Sequence, residues 1–188
     1  DTVLVVIAKA PLVVAGPDNT VCDNQQVLLN GNVVGLTTTG AWSSLGTGYF
    51  TPDDSLLTTY YQPSPLDVST GFVKLVLTSI NNKGCAAVKD TIKLNFKPSP
   101  VSDFNTNNVC AQKTATFTDI STSSAGPITG WYWDFGDLGT STTQNPNHAY
   151  VNPGTYTVAH VAYSANGCND TIRKTIEVYF LPQAQFYQ

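Results

Sequence analysis

The sequence predicts an all-β chain: two β-sandwiches in tandem, joined head to tail as a rod. Three observations point there, namely composition, hydrophobic alternation at period two, and an internal repeat. Only 12% of the 188 residues are charged, against 14 glycines, 11 prolines and abundant Thr and Ser. β-Branched side chains suit the pleated surface of a strand, and Gly and Pro punctuate turns. The length allows one large domain or two small ones, each big enough for its own core. A formal net charge of −4, with no run of Lys or Arg, excludes the electrostatic footprint of a nucleic-acid partner. No apolar run approaches the roughly 20 residues that a membrane helix needs, so this segment is not expected to insert in a membrane.

The strands can be read directly. In FVKLVLTS at 72–79, Phe72, Lys74, Val76 and Thr78 share one face, and Val73, Leu75 and Leu77 share the other, the core side. KTATFTDIS at 113–121 and GTYTVAHVAYS at 154–164 alternate in the same way. Helical periodicity is almost absent.

The repeat gives the organisation. NNKGCAAVKDTIKLNFKPSP at 81–100 parallels SANGCNDTIRKTIEVYFLP at 164–182: a polar turn, Gly-Cys, Asp-Thr-Ile, an alternating strand, then Pro. Asp1-Thr2-Val3 matches Asp90-Thr91-Ile92 and Asp170-Thr171-Ile172, so residues 1–10 read as the last strand of a preceding repeat. PQAQFYQ at 182–188 parallels PVSDFNT at 100–106 and reads as the start of a following one. The first domain is then 11–97 and the second 98–181, joined through KPSP. The chain has no Met and opens without a basic leader, so an internal piece of a longer exported protein is expected. About seven short strands in each 85–90 residues, with turn signals between them, indicate immunoglobulin-like sandwiches. So short a Pro-containing linker predicts a stiff joint.

One stretch looks chemically busy. WYWDFGDLGTSTTQNPNHAYVNPGTYTV at 131–158 gathers aromatics, two aspartates and a histidine among turn residues. WDFGD at 133–137, NPNHAY at 145–150 and NPGTYTV at 152–158 resemble the signature of the PKD (polycystic kidney disease) domain, an immunoglobulin-like sandwich of surface and secreted proteins. The resemblance covers about 98–181 and implies structural roles for Trp133, Asp134, Phe135, Gly136, Asp137, His148, Tyr150, Pro153, Gly154 and Tyr156. Where the family more often has Gly after WDFGD, this chain has Leu138. In the first domain, AGPDNTVC at 15–22, GAWSSLGTGYFTP at 40–52 and YYQPSPLDVSTGFVKLVLTS at 60–79 resemble immunoglobulin-like repeats of giant Bacteroidetes surface adhesins. The SprB-like mobile adhesins of gliding bacteria are the most similar group. That resemblance implies export by type IX secretion, display at the outer surface and movement during gliding.

Each candidate reagent has a plainer reading. Asp134 and Asp137 are weak calcium candidates, because a Ca²⁺ cage wants about six to eight oxygens and the neighbours are mostly Thr, Ser and Asn. As turn aspartates they would cap backbone N–H groups instead. Asp53, Asp54 and Asp67 read likewise as turn and loop residues, with a junctional calcium site as the alternative for the first two. Trp131, Tyr132 and Trp133 suggest a sugar platform, yet alternation sends Trp131 and Trp133 to one face and Tyr132 to the other. At least one Trp is then a core residue. His148, in a loop, and His160, in a strand, have no ligand-spaced partner. There is no GxSxG elbow and no phosphate loop. Glu177 is the only glutamate, so paired carboxylates for glycoside hydrolysis are hard to assemble. No catalytic residue, metal or cofactor is expected.

Four cysteines, two in each repeat, imply disulfides in an oxidising compartment. Sequence symmetry pairs Cys22 with Cys85 and Cys110 with Cys168. Strand topology favours Cys22–Cys168 across the junction instead, leaving Cys85 and Cys110 for neighbouring repeats. It places Cys22 and Cys110 in the turn before the second strand and Cys85 and Cys168 in the turn before the last, over about 20 Å apart within one domain, whereas a disulfide needs Cα atoms within about 7 Å.

The expected function is a non-catalytic structural repeat segment of a large extracellular, outer-membrane-associated adhesin. Its partners would be neighbouring repeats, extracellular polysaccharide or another substratum, and the gliding and secretion machinery. The rival reading is an accessory spacer or carbohydrate-binding module of a secreted polysaccharide hydrolase.

Overall fold

The computed structural model describes residues 9–182. The expected neighbour-repeat segments 1–10 and 182–188 lie almost wholly outside the described residues. The chain divides into two compact units, Asp1–Lys97 and Pro98–Gln188. Each is a β-sandwich, the all-β class that the alternation predicts.

In the first unit, β2 (Asn19–Cys22), β9 (Lys89–Lys97), β8 (Phe72–Ser79) and β5 (Gly40–Ser44) form one sheet in the order β2-β9-β8-β5. The facing sheet runs β3 (Val27–Asn30), β7 (Thr58–Gln62), β6 (Tyr49–Thr51). β1 (Leu12–Val14) pairs with β4 (Asn32–Val34) as a separate ribbon. The core between the layers is built on Trp42, Tyr61, Leu29, Leu75, Leu77 and Leu94. Val73, Leu75 and Leu77 point inward on β8, as the alternation predicts.

Among the described residues the first unit has nine strands where about seven are expected, because two long strands break. Gly16-Pro17 separates β1 from β2, and Gly31 separates β3 from β4. At Gly31 a Cβ would lie 2.6 Å from a Leu77 methyl and 2.9 Å from the Trp42 ring, so only glycine lets the backbone come this close to the core. Its N–H donates to the Leu57 carbonyl at 2.8 Å.

A second departure is a short helix, α1 (Pro65–Thr70), which contains Asp67 where a turn or loop is expected. Ser64 caps it, its hydroxyl accepting the Asp67 N–H while the Asp67 carboxylate accepts the Ser64 N–H, and Pro65 opens the first turn. This reciprocal cap satisfies two otherwise orphaned donors. Gly71 closes the helix in the left-handed region.

In the second unit the larger sheet runs β11 (Val109–Cys110), β17 (Asn169–Tyr179), β16 (Gly154–Ser164), β13 (Ile128–Asp134), β14 (Thr140–Ser141). The smaller runs β10 (Phe104–Thr106), β12 (Thr114–Asp119), β15 (Asn147–Ala149). The core is more aromatic, with Phe104, Phe117, Trp133, Phe135 and Tyr150 packed among Val158, Ile176 and Val178. Phe104 meets Trp133 edge-on with centroids 5.1 Å apart, a favoured aromatic geometry.

The cysteines sit at equivalent places in the two units, although not in the turn expected for Cys22 and Cys110. Each of these ends a short strand, β2 or β11, that runs parallel to its unit's last strand, Cys22 opposite Lys97 and Cys110 opposite Tyr179. Cys85 and Cys168 lie in the turns that lead into β9 and β17. Cys22 and Cys168 each belong to a disulfide, whereas Cys85 and Cys110 are free thiols.

Candidate functional site

The busy stretch folds into one connected cluster around the turn between β13 and β14. Alternation on β13 turns Trp133 fully into the core and leaves Tyr132 exposed. Trp133 Nε1 donates to the Thr143 carbonyl at 2.9 Å, and half-buried Trp131 donates to Asp119 Oδ2 at 2.7 Å. The three rings therefore do not form a common platform.

After β13 the chain reverses over Phe135-Gly136-Asp137-Leu138-Gly139. Asp134 Oδ1 accepts the Gly136 N–H at 2.9 Å, and Asp137 Oδ1 accepts the Gly139 N–H at 3.0 Å. Both aspartates thus stitch their own turn. Gly136 has φ of +81°, and a Cβ there would stand 2.6 Å from the Thr157 carbonyl oxygen. Leu138 also has positive φ, at +77°, and is 99% exposed. A glycine would take this conformation without strain.

Asp137 Oδ2 hydrogen-bonds His148 Nε2 at 2.8 Å. His148 lies in the short strand β15 rather than a loop, its ring stacked on Phe135 with centroids 4.2 Å apart and edge-on to Tyr150 at 4.7 Å. Tyr150 is buried and donates to the Phe135 carbonyl at 3.1 Å, closing the loop of contacts. Tyr156 packs on Tyr150 and donates to the Asn152 carbonyl at 2.9 Å, which holds the Pro153-Gly154 turn into β16. Burial works against a charged Asp137, but the His148 ring and the Gly139 N–H outweigh it and hold the carboxyl below its ordinary value. A carboxylate held this way serves as a hydrogen-bond acceptor. Among the described residues no three or more His, Cys, Asp or Glu side chains gather as a metal site.

A second polar cluster escapes sequence reading. Ser102 Oγ lies 3.0 Å from His160 Nδ1, and His160 Nε2 lies 3.8 Å from Asp119 Oδ1. The residue types are those of a Ser-His-Asp hydrolase. The geometry is not, because Ser102, His160 and the Asp119 carboxylate are all buried, with the imidazole stacked on Trp133 at 3.9 Å. A nucleophile needs a substrate within reach, and this hydroxyl has only core around it. Asp119 takes its hydrogen bonds from Ser121, Trp131 and Gln144 instead. His160 Nε2 is left without a hydrogen-bond partner. The available signal was His160's inward register on an alternating strand; Ser102 and Asp119 are too far away in sequence to be joined to it.

The first unit has its own buried carboxylate. Asp67 is only 3% exposed and accepts from Thr47 N at 3.0 Å, Gly48 N at 2.9 Å, Ser64 N at 3.0 Å and Tyr61 Oη at 2.8 Å. These donors overcome the burial penalty and keep its pKa below the usual value, while burial raises the Tyr61 phenol to about 12. Ser-Pro-Leu-Asp, a capping-box pattern, was the sequence signal for it. Asp53 sits in an exposed turn, its Oδ1 accepting the Ser55 N–H at 2.7 Å.

The second unit is similar in sequence to known proteins. A microbial collagenase of Vibrio alginolyticus is 29% identical over 90 residues, which is 48% of this chain and 11% of that protein. The PKD1 domain of the Vibrio cholerae metalloprotease PrtV is 32% identical, matching 43% of this chain and 98% of the domain with a TM-score of 0.40. Fibronectin(III)-like modules of CbhA from Clostridium thermocellum align with 95% of this chain and 100% of their own length, at 12% identity and a TM-score of 0.41. Residues 97–179 match the family model described as PKD domain, so the second unit is similar to PKD domains in sequence.

Proposed function

We propose that this chain is a non-catalytic structural segment of a large cell-surface adhesin, its two sandwich units acting as spacer repeats. The proposal extends to the mobile adhesin of bacterial gliding motility, exported by type IX secretion and held at the outer membrane. Its partners are then neighbouring repeats, the gliding and secretion machinery and an extracellular substratum. One observation carries the reading. Asp134, Asp137, His148, Asp67, Ser102 and Asp119 hydrogen-bond backbone or neighbouring side chains of their own unit. A disulfide and the PKD similarity both fit an extracellular setting. The test is in-frame deletion of residues 11–181 from the parent gene. Loss of surface spreading, with secreted hydrolysis of polysaccharide and protein intact, is the expected result. Turnover of any substrate by the purified chain overturns it.

The collagenase relative favours a second reading, an accessory module of a secreted hydrolase. Under that reading the same deletion leaves spreading intact and slows breakdown of an insoluble substrate.

A further inference from the structure

The outer face of the three-stranded sheet in the first unit has a composition that its structural role does not require. Register places Leu28 of β3 opposite Tyr60 of β7, and Tyr60 opposite Thr51 of β6. Tyr49 pairs with Gln62 and stands diagonal to Tyr60. Diagonal neighbours lie about 7 Å apart, within reach of aromatic side chains. Tyr49 is 62% exposed, Leu28 49% and Tyr60 44%. The side chains facing the core on these strands, Val27, Leu29, Thr59 and Tyr61, are buried, so the fold does not need aromatics outside. No residue on the outer face is charged. The polar groups around the two tyrosines are the Asn30 and Gln62 amides and the Thr51 hydroxyl, which both donate and accept.

We propose that this face binds a neutral polysaccharide. Tyrosine offers a rigid, amphipathic ring at low conformational cost, and the C–H face of a pyranose stacks on such a ring while its hydroxyls meet the flanking amides. An anionic polymer finds no cation on the face. A protein partner finds too little area. Three strands about 4.8 Å apart, at about 3.3 Å per residue, give a face on the order of 150 Å². A stable protein interface needs about 800 Å² from each side. A short run of sugar rings fits the size. This goes beyond the spacer role, since it gives a shaft unit a contact of its own.

The test is native electrophoresis of the whole chain in gels containing laminarin, xyloglucan or alginate. Retardation is expected in a neutral-polysaccharide gel and not in alginate. Tyr49→Ala and Tyr60→Ala should each weaken it about tenfold or more. Tyr60→Phe should keep it, and so should Tyr163→Ala, at an exposed tyrosine of the second unit. Thermal unfolding identifies folded variants. Should Tyr60→Ala fail to fold, the more exposed Tyr49→Ala decides. The proposal fails if neither neutral gel retards the protein, if alginate retards it equally, or if folded Tyr49→Ala migrates as the parent does. A dimer in sedimentation equilibrium that Tyr49→Ala dissolves would assign the face to a second copy and also overturn it.

Discussion

Replacing Asp67 tests whether the acidic side chains of this chain are structural. The carboxylate is almost fully buried and accepts four hydrogen bonds, three of them from backbone N–H groups. Asp67→Ala leaves those donors without an acceptor. A stranded buried donor costs about 1–3 kcal/mol, and hydrogen bonds to a charged group lie at the upper end. Water entering the vacated space recovers part of that. A loss of about 3–5 kcal/mol follows, against a typical domain stability of about 5–15 kcal/mol. Asp67→Asn keeps the shape and one acceptor oxygen, so it should lose about half as much. Hydrogen exchange in increasing urea, read by mass spectrometry on peptides from each unit, assigns the loss. Peptides of 11–97 should open at lower urea and those of 98–181 should not. The pH dependence follows from the same bonds. The folded pKa of Asp67 is depressed from 3.8, so its contribution is complete above that value and is lost as pH falls through the folded pKa. The Asn variant should lack this acid-dependent part. A loss under about 1 kcal/mol for Asp67→Ala would refute the reasoning, because a carboxylate so easily dismissed is not holding the turn.

His160, the turn at Gly136 and Leu138, and the cysteines give further tests. His160 is neutral in the fold, since burial lowers its pKa from 6.5 against the pull of Asp119 and Asp103. Its neutral form therefore contributes stability above about pH 6.5, lost as pH falls through the window down to the folded value, and His160→Gln should flatten this part of a pH series of urea midpoints. Leu138→Gly relieves a left-handed residue worth about 1 kcal/mol, raising the unit's melting temperature by a few degrees, whereas Gly136→Ala meets the Thr157 carbonyl and should lower it. Mass spectrometry of an unreduced digest is expected to return one disulfide peptide, carrying Cys22 and Cys168. Iodoacetamide should label Cys85 readily, since it is exposed and free.

Sequence reading works here where the determinant is local. Alternation on 72–79 gives the inward faces of β8 directly, because a pleated strand has a fixed period of two. A core Trp among Trp131 and Trp133 is legible, without saying which, and Asp134 and Asp137 are legible as turn-stitching acids, because each acts within a few residues of itself. What escapes is non-local. The Ser102–His160–Asp119 cluster joins three strands or their flanks, and no spacing rule links positions so far apart. The strand breaks at Gly16-Pro17 and Gly31 depend on which side chains press on the backbone, and a sequence does not show that. α1 escapes too: Ser64 and Asp67 form its cap, but its six residues are too few to display a helical period.

The same contrast runs between the units themselves. In each, the strand bearing the buried Trp, β5 with Trp42 or β13 with Trp133, leads into a turn that a carboxylate ties down. In the second unit the tie comes from inside the turn, Asp137 holding Gly139 with His148 behind it. In the first it comes from α1, Asp67 reaching across to Thr47 and Gly48 with Tyr61 behind it. Nothing in the sequence aligns these two aspartates. The shared requirement is physical: a tight turn at the end of a core strand buries N–H groups that must find acceptors. A catalytic origin for the acids would place them where a substrate could enter. The hydrogen bonds place them where the backbone needs an acceptor, by two routes.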